Sequence, residues 1–243
     1  MSSKESVTYG IKDQLHAFHR YGDLALLSNE GIIFKVDSKR LSDVSHVFKS
    51  MIEIGAAGGI LGEKRKIDLR RPLEVDTSSR VLEAFMEMIT VMNPQPPKLY
   101  FYDTLRLFEF CDKFDISSPV YSLVKKSLTH RAKKGGQWCL LIWSAERNDH
   151  HMVKIALQIM TDSRFLNPRL PIERSDDPSY VWKSVGFWEM MKRLPDNWQM
   201  NLLELTLKPE RVEAYRGYSL TNANALRVSC NWQQVAESFI PKR

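Results

Sequence analysis

Few residues that could do chemistry stand in this sequence at spacings that chemistry uses. The segment Gly55-Ala56-Ala57-Gly58-Gly59-Ile60-Leu61-Gly62 is rich in the residue that lets backbone amides approach a phosphate. A phosphate loop needs G-x-x-x-x-G-K-[ST], yet Gly62 is followed by Glu63 and position 57 is alanine. The G-x-G-x-x-G spacing is absent too, so the segment reads as a glycine-rich exit from a helix. His16 and His19 are three apart and His150-His151 are adjacent, but zinc takes four ligands, or three and a water, and neither C-x-x-C nor H-E-x-x-H occurs. Cys111, Cys139 and Cys230 are widely separated, odd in number and set among apolar neighbours, which fits reduced, buried thiols. Cys111 lies on the apolar side of a helical pattern, a setting that raises a thiol's pKa and makes it inert. No G-x-S-x-G elbow is present. Asp112 with Asp115 fits a helix end, and Asp176-Asp177 a loop before Pro178. The expectation is a non-enzyme with no metal and no cofactor.

The bulk properties agree with a globular protein. The 243 residues are 43% apolar and 26% charged, with a formal net charge of +6. No apolar run is long enough to span a membrane, and the first residues lack the apolar stretch of a secretory signal. An intracellular protein, cytoplasmic or nuclear, is expected. The isoelectric point near 9.2 raises nucleic-acid binding, with basic residues grouped at Lys64–Lys66, Arg70-Arg71 and Lys125–Lys134. Solvated faces account for such groups equally well, so nucleic acid is an unfavoured partner.

The elements that would position any site change character along the chain. Leu24–Leu27, a turn at Asn29-Glu30-Gly31, and the alternating Ile32, Phe34 and Val36 signal a β-hairpin. Asp13–Arg20 fits a short amphipathic helix with Leu15 and Phe18 on one side. Leu41, Val44, Val47 or Phe48, and Met51 form a helical stripe. Ile67–Leu69 is a strand candidate. Thr77 and Ser78 can cap a helix with Val81, Leu82, Phe85, Met86 and Ile89 facing in. Asn93–Pro97 must be a loop, because proline removes donors and disfavours helix before it. Asp103 can cap the next helix, and Ser118-Pro119 starts another. After a charged, flexible boundary at Ala132–Gly136, helix patterns cover 137–147, 150–161, 179–193, 196–207 and 223–238. All six tryptophans lie beyond residue 135, with Trp182, Phe187, Trp188 and Met191 spaced as one helix face. They can fill a helical core or receive a partner.

Two blocks carry a family resemblance. Asp23–Ser28, Gly31, Phe34-Lys35-Val36, Leu41, Ser45, Val47-Phe48 and Met51 resemble the opening of a BTB/POZ domain. Leu107-Phe108-Glu109-Phe110-Cys111-Asp112-Lys113-Phe114-Asp115-Ile116 resembles that family's later L-L-x-x-A-D-K-Y-D-V helix. The style is similar to BTB proteins abundant in fungi. The resemblance implies an α+β fold: a small sheet flanked by paired helices over 15–132, after a tail at 1–14 and before an all-helical region at 137–243. It also implies protein–protein association, as a homodimer or as a scaffold or adaptor, including a substrate adaptor that binds a cullin-type ubiquitin ligase scaffold. A nucleic-acid-associated transcriptional regulator is the alternative of another class. Self-association would fall to Leu15, Phe18, Asp23, Leu41 and Ser45, and an adaptor contact to Phe48, Leu61 and Glu63. Asp37 stands where the family usually has histidine, so Asp23 is expected to find a different partner. Thr90-Val91-Met92 stands where cullin-binding members usually have a tyrosine.

Overall fold

The hairpin forms where the alternation places it, and its inner strand shows why the first run has no polar breaks. β2 (Leu24–Leu27) pairs antiparallel with β3 (Ile32–Val36), Leu24 opposite Val36 and Leu27 opposite Ile33. In the computed structural model, which describes residues 14–56, 72–172, 181–209, 226–228 and 230–240, β2 lies inside a four-stranded sheet of order β1-β3-β2-β4. Here β1 is Gln14–Leu15 and β4 is Leu73–Glu74, and both pair in parallel with their neighbours. Leu24, Ala25 and Leu26 are all buried, as a strand covered on both faces must be.

Helices follow in the expected order. The stripe from Leu41 to Met51 is two helices, α1 (Ser38–Val44) and α2 (His46–Ala56), broken at Ser45. α3 (Ser79–Thr90) is capped by Ser78, whose hydroxyl accepts from the Val81 amide, and all five of its anticipated inward residues are buried. α4 (Phe101–Lys113) starts earlier than anticipated. Tyr100 occupies the cap position, and Asp103 lies in the first turn, where a negative charge complements the helix dipole. α5 is Ser118–Arg131. The chain divides into two compact units, Met1–Leu128 and Thr129–Arg243. That division falls in the last turn of α5, just before the charged stretch Ala132–Gly136, which forms a π-helical turn with Gly135 at φ 140°.

The segment 13–20 is not a helix over its described residues. The Gln14 amide donates to the Gly31 carbonyl and the His16 amide to that of Ile33, so a neighbouring strand takes the bonds that a helix would have made internally. The strand candidate Ile67–Leu69 lies outside the described residues.

In the second unit, α6 (Gln137–Glu146), α7 (His150–Gln158) and α8 (Asp162–Leu166) are followed by strands, which corrects the all-helical expectation for 137–243. β5 (Arg169–Ile172) pairs antiparallel with β6 (Val181–Ser184), and α9 (Phe187–Met191) is only five residues long. α10 (Asp196–Thr206) runs directly into β7 (Leu207–Pro209), which pairs with β8 (Leu226–Val228) ahead of α11 (Trp232–Ser238). The helix patterns over 179–193 and 223–238 hold in their later parts, at α9 and α11, and give way to β6 and β8 before them, where a pairing partner elsewhere in the chain overrides local propensity. Trp182 is therefore on a strand and does not share a helix face with Trp188.

Trp138, 1% exposed, organises this unit's core. Its ring stacks on Phe165 at 5.4 Å and meets Phe187 edge-on at 6.0 Å, while Nε1 donates to the carbonyls of Arg164 and Phe165, 3.1 Å from each. Asp162 holds the far end of the chain in place, its Oδ1 accepting from Trp232 Nε1 at 2.7 Å and from the Cys230 amide at 3.3 Å. Trp138→Ala should destabilise this unit by about 3–5 kcal/mol through the cavity it leaves. Trp138→Phe should cost about 1–3 kcal/mol, because buried acceptors lose their donor. Urea unfolding followed by circular dichroism will show whether this ranking holds.

Candidate interaction surface

Among the described residues, three large apolar side chains that face solvent lie close together where the chain enters the sheet, while Ile54, Val91-Met92 and others are exposed elsewhere. Phe18 is 81% exposed, Tyr21 88% and Leu15 42%, all within the short stretch that forms β1 and leads into β2. The backbone presents them because it is tied down at several points. The Lys35 amide donates to the His19 carbonyl at 2.9 Å, and Arg20 Nε donates to the His16 carbonyl at 3.3 Å. His16 packs its ring on Phe34, 4.3 Å between centroids, and Nε2 lies 3.4 Å from Glu83 of α3. Its Nδ1 accepts from the amides of Phe18 and His19, 3.3 Å each. Burial, and then the neighbouring His16, hold the His19 imidazole below its ordinary pKa of 6.5, with Glu83 opposing.

The exit from this segment turns at Gly22, where φ is 143° and any Cβ would collide with the Val36 backbone. Asp23 follows. Its carboxylate accepts from the Ser38 hydroxyl at 2.5 Å and the Ser38 amide at 2.7 Å, and these two bonds hold its pKa below the ordinary value of 3.8. Ser38 is thus the partner that Asp23 finds in this chain. Asp37 has another task, accepting from the amides of Lys39 and Arg40 as the N-cap of α1.

Leu41, Ser45 and Phe48 are placed differently from the surface role anticipated for them. Leu41 and Phe48 are fully buried and Ser45 is 2% exposed, so all three belong to the interior of their own unit. Ser45 Oγ donates to the Phe114 carbonyl at 2.5 Å and accepts from the Phe48 amide at 3.0 Å. Phe48 stacks on Phe114, 4.4 Å apart at 6°, and Phe114 lies 4.6 Å from Phe110. The Ser117 amide donates to the Val44 carbonyl, and at the rim His46 Nδ1 meets Asp115 Oδ2 at 3.0 Å. The two separated blocks of sequence motif therefore meet at one junction. Apolar stripes identify these residues as structural; their period marks an inward face but does not say whether a neighbouring helix or a partner covers it.

Leu61 and Glu63, with the basic groups Lys64–Lys66 and Arg70, lie outside the described residues. In the second unit, Trp138, Trp143, Trp198 and Trp232 are buried and Trp188 is 60% exposed. Burial and acidic Asp112 push the Cys111 thiol up to about 12, so it is inert at neutral pH. Among the described residues, no group of three or more His, Cys, Asp or Glu could hold a metal ion, and no helix is long and apolar enough to cross a membrane. An open groove of about 510 Å³ runs beside the β2–β3 turn, between Ser28 and Asn29 on one side and Glu74 and Asp76 on the other. Tyr21 and the anchoring role of His16 carry no signal in the sequence. Arg20-Tyr21-Gly22 has the look of a connector, and nothing in its spacing marks an exposed aromatic.

No protein-family model matches this chain, and no curated protein matches it significantly.

Ser45→Ala should cost about 1–3 kcal/mol, since a buried carbonyl and a buried amide lose their shared partner; a loss below about 0.5 kcal/mol in denaturant titration would contradict the junction's importance. Asp23 has a depressed folded pKa. Its contribution is complete above the ordinary carboxylate value of 3.8 and disappears as pH falls through the lower folded value. Asp23→Asn should therefore be less stable than wild type at neutral pH, with the gap closing as melting temperatures are followed into acid.

Proposed function

We propose that this chain is a non-catalytic protein-interaction module of the BTB/POZ kind, which self-associates through the exposed apolar segment at β1. The observation that carries the proposal is the display of Leu15, Phe18 and Tyr21 together on a short, tethered stretch beside a sheet edge. Aromatic side chains exposed on a tethered backbone suit the role of interface anchors. An edge strand also offers unpaired backbone groups to a second chain.

The element order strengthens the family assignment. A hairpin, a helix pair, a short parallel strand and three further helices succeed one another over 24–131, the small sheet with paired helices that the motif blocks imply. Those blocks also pack together through Ser45 and Phe114, which gives a physical reason for their joint occurrence. In this reading the surface is Leu15, Phe18 and Tyr21, while Asp23 serves it indirectly by fixing the turn that precedes β2. Leu41 and Ser45 support it from within.

An adaptor contact to a cullin-type scaffold loses Phe48 as a contact residue, since a fully buried ring cannot reach a partner without unpacking. Neither that partner nor nucleic acid gains a supporting observation from the described residues.

Light scattering coupled to size exclusion, at tens of micromolar protein, should give twice the monomer mass. Phe18→Asp should return the monomer mass with an unchanged circular dichroism spectrum, because the side chain it replaces is solvent-facing. A wild-type protein that runs as a monomer at that concentration would refute self-association.

A further inference from the structure

Within the tethered stretch that displays Phe18, the turn over 16–19 is closed by one imidazole in one protonation state. His16 Nδ1 receives the amides of both Phe18 and His19, each at 3.3 Å. A ring nitrogen that accepts hydrogen bonds carries no proton, so the neutral ring keeps its hydrogen on Nε2, which faces Glu83 Oε1 at 3.4 Å. The ring stacks on Phe34 at 4.3 Å and on His19 at 5.2 Å, and those two rings lie 5.8 Å from each other, so the three form a cluster. The next proton can go only to Nδ1, where two N–H groups already point.

We propose that His16 is a pH-sensitive latch, whose protonation releases the turn over 16–19 and with it the fixed placement of Phe18. The charged and titratable groups around it set the direction. Glu83, facing it from α3, keeps its contact with Nε2 after protonation and draws the imidazolium toward that helix. On its own segment stand His19 and Arg20; β3 contributes the Phe34 ring and the Lys35 amide that holds the His19 carbonyl. Burial, and then His16, hold His19 below its ordinary 6.5, with Glu83 opposing. Protonation thus exchanges two amide bonds for a stronger pair with Glu83: a local rearrangement of the segment, with the sheet left intact. Histidine is the side chain whose ordinary titration falls where such an exchange has physiological use. The latch is independent of whether the chain self-associates.

Nuclear magnetic resonance of the full chain between pH 7.5 and 5 tests it directly. The amide protons of Phe18 and His19 should move upfield, as hydrogen bonds are lost, with the midpoint shown by the His16 ring nitrogens. Amides elsewhere in β2 and β3 should stay still. In His16→Gln, whose side-chain oxygen can accept but cannot titrate, the two amides should hold their positions across the range. The proposal is overturned if the wild-type amides stay fixed while His16 titrates, or if they move with the same midpoint in His16→Gln.

Discussion

The first unit depends on the hydroxyl of Ser45, the residue that interrupts what would otherwise be one long helix. It donates to the Phe114 carbonyl and accepts the Phe48 amide, so the break between α1 and α2 and the turn between α4 and α5 are satisfied by a single side chain. Both backbone groups are buried there, and each would carry the full cost of desolvation without it. The Phe48–Phe114–Phe110 stack forms around this point, and Phe110 reaches on to Phe85 of α3 at 5.0 Å. A polar atom thereby sets the register of an apolar core: side chains of the right volume could pack in several ways, and the hydroxyl accepts one.

A second set of ties acts on the entry side of the sheet. Gly22 lets the chain pass against the Val36 backbone, Asp23 grips Ser38, and Asp37 caps the same helix one residue earlier. The two carboxylates divide the unsatisfied amides at the start of α1 between them, Asp23 taking Ser38 and Asp37 taking the next two. Because the Asp23–Ser38 bonds fix where β2 begins, they also fix where the preceding segment must end. The exposed aromatics therefore stand on a short span pinned at both ends, which lowers the entropy that a partner's binding would otherwise have to remove.

Much of this architecture is legible in the order of residues. The alternation after Gly31 marks β3, the five-residue stripe of α3 is complete, and α6, α7 and α10 begin where the pattern places them. Local pattern fails where a distant partner decides the outcome. Leu15 and Phe18 have helical spacing, yet the carbonyls of Gly31 and Ile33 capture the amides of Gln14 and His16. Trp182 and Trp188 have helical spacing too, yet Arg169–Ile172 supplies a strand for the first of them, and Pro171 within it disguises that strand. For the candidate site the difficulty is of another kind. The motif blocks single out Leu41, Ser45 and Phe48, but spacing reports which side of a helix is apolar and not what covers it. Tyr21 escapes because an exposed aromatic beside a glycine has no one-dimensional signature.

The placement of the tryptophans has a consequence for how this molecule can be observed. All six follow residue 135, so the unit Met1–Leu128 contains no indole. Ultraviolet emission excited at the red edge of protein absorption consequently belongs to the second unit alone. Among the side chains described there, four indoles are buried and Trp188 is wet, so the emission carries both a sheltered blue component and a solvent-relaxed red one. Quenching by a small solute should remove the red component first. The chain thus carries its own optical partition: one unit is visible by fluorescence and the other, which displays Phe18 and Tyr21, is dark.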